Sequence, residues 1–62
     1  MFLTLTTISD MPIVVNTDRI ALIDIYNTKS VTNGSVIVFD EINQVRVKES
    51  VNHILKEIAR YK

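Results

Sequence analysis

Near its end this 62-residue chain changes rhythm within three residues, and that change constrains the architecture more tightly than any other segment. Over residues 44–48 polar and apolar side chains alternate, so Val45 and Val47 share one face of a strand while Gln44, Arg46 and Lys48 share the other. Glu49 and Ser50 break the alternation. Val51, Ile54, Leu55 and Ile58 then recur at the i, i+3, i+4, i+7 spacing, which draws one apolar stripe along a helix over about residues 50–61. The Ser50 hydroxyl is suited to cap that helix, and Glu49 puts negative charge near its positive end. A strand therefore feeds an amphipathic helix, whose stripe needs a sheet to cover.

The rest of the chain supplies that sheet. Leu3 and Leu5 alternate with Thr4 and Thr6, giving a half-buried first strand. Ser9, Asp10 and Met11 make a turn, and Pro12, which has no N–H to give a ladder, starts a second strand over residues 13–15 or sits at a sheet edge. Asn16, Thr17 and Asp18 are side chains that bond their own backbone, which favours a turn or a single helical turn. A third strand is expected over residues 20–26, with Ala21, Ile23 and Ile25 opposite Ile20, Leu22, Asp24 and Tyr26. Asn33-Gly34 reads as the tip of a two-residue hairpin between residues 30–32 and 35–37. Residues 40–43 form a second turn, leading into the strand at 44–48. The expectation is a small α+β domain, a single unit over residues 1–62. It is an antiparallel β-meander of about five strands within residues 2–48, followed by one C-terminal amphipathic helix.

Size sharpens what must hold such a fold together. A chain this short hides only about 60% of the surface it exposes when unfolded, and small domains usually add a disulfide, a metal or a second copy. With no cysteine and a single histidine, His53, neither a disulfide nor a thiolate or histidine zinc cluster can form. A dense core of Ile and Val, or self-association, remains. Val36 and Val38 point to one face of their strand and Ile37 and Phe39 to the other, so both faces are apolar. One short helix can cover only one of them. The other is covered either by a curled half-barrel of the same chain or by a second copy, and because the chain is so short a homo-oligomer is expected.

Chemistry is harder to find. The seven acidic residues are scattered and match neither a calcium loop nor a metalloprotease helix, and the only glycine, Gly34, cannot build a phosphate-cradling loop. His53 falls on the polar side of the helix beside Asn52, with no nucleophile or orienting group marked out for it. No catalytic residue, cofactor or metal site is expected. Arg46 and Lys48, two residues apart on one strand face, are the candidate ligand-binding residues, able to grip a phosphate or an acidic partner; the alternative is an exposed edge strand protected from aggregation by its charges. Equal numbers of acidic and basic residues give zero formal charge, which disfavours nucleic acid. No apolar run is long enough for a membrane span, and residues 1–5 lack the positive start of a secretory signal, so a cytoplasmic location is expected. Tyr61 is expected to fill an interface or pack against the fold.

Two stretches also resemble a known family. Val15, Asn16, Asp18 and Ile20, together with Val47, Lys48, Glu49, Ser50 and Val51, are similar to the two motifs of the flagellar FlbD family, also called the swarming motility SwrD family. Its members are short chains with a V-N-x-D-x-I segment and a V-V-K-E-S-V strand-to-helix junction. The chain differs from them at residues 40–43, where the family has a glycine. The resemblance implies a non-enzymatic accessory protein that acts through protein contacts and supports motor output or swarming. The same small pattern also resembles short phage and mobile-element proteins, which implies the alternative of a phage-encoded oligomeric inhibitor, or a ligand- or nucleic-acid-binding protein using the basic strand face. A weaker likeness, in residues 1–6 and 45–47, is to the carbon storage regulator family of RNA-binding dimers.

Overall fold

The computed structural model describes residues 1–60. Its elements run β1 (Phe2–Thr6), β2 (Pro12–Asn16), a 3-10 turn (Thr17–Arg19), β3 (Leu22–Tyr26), β4 (Gly34–Val38), β5 (Gln44–Val47) and α1 (Val51–Arg60). The expected α+β class, five antiparallel strands and one C-terminal helix, is what forms. The strands divide into a β1–β2 hairpin and a three-stranded meander, β3-β4-β5. An isolated bridge between Thr7 and Val47 joins the two pieces, flanked by Ile8 N–H donating to Arg46 O (3.3 Å) and Lys48 N–H donating to Thr6 O (2.8 Å). β1 thus lies beside β5 over a short stretch, and the spatial order is β2, β1, β5, β4, β3.

Alternation sends one face of every strand inward. Leu3, Leu5, Val15, Ile37, Val47 and Ile54 form the buried core, with Ile13, Ile20, Ile23, Phe39, Val45 and Ile58 packed against it. Ile54 is the helix residue driven fully into this core. The stripe is narrower than its spacing suggests. Val51 and Ile58 are half-buried, but Leu55 is 51% exposed, so the buried stripe runs through Val51, Ile54 and Ile58 alone. The expected reach of the helix to residue 61, and the role given to Tyr61, lie outside the described residues.

Local chemistry sets the connections. Asn16 caps the 3-10 turn by accepting the Asp18 N–H on its side-chain oxygen (3.1 Å). Asp10 takes a positive φ of 67° in the turn between β1 and β2. Between β4 and β5 the Asp40 carboxylate accepts from Ile42 N and Asn43 N (both 2.9 Å) and from Asn43 Nδ2 (2.7 Å). These bonds, that to the Asn43 side chain first, hold the Asp40 carboxyl below its ordinary pKa of 3.8.

The expected two-residue turn at Asn33-Gly34 does not form. Only Asn33 has a positive φ (59°), and Gly34 opens β4 opposite Tyr26, so residues 27–33 make one longer connection with no strand at 30–32. The Asn27 side-chain oxygen closes it by accepting the Asn33 N–H (2.7 Å). Gly34 is needed for a different reason. A Cβ there would stand 2.7 Å from Val47 O and 2.8 Å from a Val31 methyl. Residues 20 and 21 also precede β3 instead of joining it, which turns Ile20 toward the core.

Candidate functional site

The junction between β5 and α1 is a structural clasp. Ser50 O accepts the Ile54 N–H (3.0 Å) and Ser50 Oγ accepts the His53 N–H (3.1 Å), so Ser50 caps α1 as its residue type suggests. Glu49 does more than place charge near the helix start. Both of its carboxylate oxygens accept the Thr6 N–H (2.9 and 3.0 Å), and its carbonyl accepts the buried Ser35 hydroxyl (2.6 Å). One residue therefore ties the β1–β2 hairpin to the β3-β4-β5 sheet. Lys48 completes the clasp with an ion pair to Asp10.

The two candidate binding residues sit on the outward side of the sheet, flanking buried Val47. Neither is a bare cation. The Arg46 guanidinium lies 5.4 Å from the centroid of the Tyr26 ring, and Lys48 is paired with Asp10. β5 is not a free edge here either, since β4 flanks it on one side and the end of β1 on the other.

Register shows what else that outward face holds. Asp24, Val36 and Arg46 form one row across β3, β4 and β5, and Leu22, Val38 and Gln44 form the next. Ile8 stands beside Arg46 through its backbone bond. Val36 and Val38 are half-buried and Leu22 is 53% exposed, so the centre of the face is apolar and its flanks carry one acid and one base. Asp24, Leu22, Tyr26 and Ile8 were not singled out as site residues from sequence. Their grouping depends on strand register, which a single sequence does not state.

Other features offer less chemistry. His53 is exposed on α1, on the polar side where its position suggested. An open depression of about 410 Å³ lies between the end of β3 and the start of α1, lined by Ile25, Asn33, Gly34, Ser50, Val51 and Asn52. Its lining carries no acid, base or thiol, and the Ser50 hydroxyl is committed to the helix cap. Among the described residues no group of three His, Cys, Asp or Glu side chains is placed to hold a metal ion, and no helix is long and apolar enough to cross a membrane. Comparison with family models, curated proteins and solved structures finds no match to this chain.

Proposed function

We propose that the chain is a non-enzymatic binding module that works through protein contacts on the outward face of β3-β4-β5 and self-associates there. One observation carries this reading: α1 and the β1–β2 hairpin pack on the inner face, which leaves Leu22, Val36 and Val38 as an apolar patch on the outward face, beside the Arg46–Tyr26 contact. In a 62-residue chain without disulfides, covering that face adds stability that the single core does not supply. The arrangement gives less support to a phosphate or nucleic-acid grip by Arg46 and Lys48, because a ligand would compete with the Tyr26 ring and the Asp10 carboxylate. A cytoplasmic accessory role of the FlbD and SwrD kind remains the biological setting we propose, resting on the motif resemblance alone.

Size-exclusion chromatography with light scattering tests self-association. The mass is expected to rise above 7.1 kDa toward twice that value as concentration reaches the high micromolar range. A mass of 7.1 kDa throughout would overturn the reading. The motility assignment is tested separately, by deleting the gene in a flagellated host that carries it: reduced swarming is expected, and unchanged swarming refutes that assignment.

A further inference from the structure

We propose that two copies of this chain pack outer face to outer face about a two-fold axis along β4, with Asp24 of each copy over Arg46 of the other. This rests on the self-association reading and adds its geometry, which the register determines. Asp24 and Arg46 lie in one row on either side of Val36. A two-fold axis along the central strand turns the β3 side of one copy over the β5 side of its partner. Each Asp24 then faces an Arg46, while Val36 and Val38 meet their own counterparts on the axis and Leu22 covers Gln44. The interface is closed and self-complementary, as a two-fold requires.

The alternative axis, running across the strands through the same row, sets Asp24 over Asp24 and Arg46 over Arg46. Like charges facing each other oppose that arrangement. Aligned sheets pack about 10 Å apart, a gap that an arginine and a carboxylate reaching toward each other can span. In the single copy Arg46 rests against the Tyr26 ring of its own β3, and in the dimer it exchanges that contact for the partner's Asp24.

Edge-to-edge pairing is the competing way for strands to associate, and both outer edges are blunted. At β3 the Asp24 carboxylate accepts the Ile25 N–H (2.8 Å), and β2 begins at Pro12, which has no N–H to offer. The face is small, about 14 by 17 Å for two strands of five residues and one of four, below the ~800 Å² per partner of a standard interface. The dimer is accordingly one that dissociates on dilution.

Charge reversal tests the axis by sedimentation equilibrium, with circular dichroism confirming the fold of each variant. Asp24→Arg and Arg46→Asp, each alone, are expected to weaken dimerisation at least about tenfold, and the double reversal is expected to restore it to within about threefold of the parent. A parent that dimerises while neither single reversal matters, or while the double reversal fails to restore, overturns this geometry and leaves self-association standing. A parent that stays monomeric removes self-association and this geometry together. If a reversal disturbs the fold, Asp24→Asn and Arg46→Gln serve in the same cycle. Additive effects of that pair would overturn the Asp24–Arg46 contact, and effects that overlap would support it.

Discussion

Replacing Glu49 gives the most informative test of how the fold is held together. Its carboxylate accepts the Thr6 N–H at 2.9 and 3.0 Å, on the side of β1 that faces away from β2. A hydrogen bond to a charged group contributes about 1.5–3 kcal/mol, and because this one is only part-buried the lower end applies. Loss of negative charge beside the start of α1 removes a further ~0.3–1 kcal/mol. Glu49→Ala should therefore cost about 2 kcal/mol. Glu49→Gln also loses the charge but keeps an acceptor within reach of Thr6, and should cost about 1 kcal/mol. For a domain near 60 residues 1 kcal/mol corresponds to about 4–8 °C in Tm, so thermal melts followed by circular dichroism separate the two variants readily. Amide hydrogen exchange adds a local readout, since Thr6 should lose protection in Glu49→Ala while Ile37 changes only with global stability. A Glu49→Ala protein that melts with the parent and protects Thr6 equally would refute the clasp.

Three further outcomes follow from the packing. Ile54→Ala empties a fully buried core position and should cost about 2–5 kcal/mol, enough to unfold much of so small a domain, whereas Leu55→Ala, at a half-exposed position, should cost less than about 1 kcal/mol in urea titration. Gly34→Ala forces a methyl to 2.7 Å from Val47 O, a backbone atom of β5, and should destabilise by about 1–3 kcal/mol where an ordinary strand glycine would tolerate the change. Asp40 should titrate by NMR below its ordinary 3.8; because its folded pKa is depressed, its contribution is complete above the unfolded value and fades as pH falls through the folded one, loosening the β4–β5 turn in acid.

The parts of the fold legible in sequence were those governed by neighbours along the chain. Alternation at Leu3 and Leu5 and at Val45 and Val47, the Ser50 cap and the side-chain turns at Asn16 and Asp40 all follow from residues within four positions of one another. The structure departs from the local pattern where a distant element decides. Asn33-Gly34 has the composition of a two-residue turn, but Gly34 is spent on the close approach of Val47 across the sheet, and Asn33 alone takes the positive φ. Leu55 obeys the helical spacing and still stays half-exposed, because burial depends on what packs against the helix and not on spacing alone. At the candidate site, Arg46 and Lys48 were visible as a basic pair. The Tyr26 ring and the Asp10 carboxylate that engage them are 20 and 38 residues away, and only register brings them there. Asp24 shows the same limit, since its relation to Arg46 exists only once β3, β4 and β5 are aligned.

The central claim is that α1 occupies the inner face and leaves the outward face of β3-β4-β5 to be covered by a second copy. A dilution series of two-dimensional amide NMR spectra tests it most directly. Concentration-dependent shifts at Leu22, Asp24, Val36, Val38 and Arg46, with the α1 amides of His53, Lys56 and Glu57 unmoved, are the expected result. Spectra that do not change with concentration, or changes confined to α1, would contradict it.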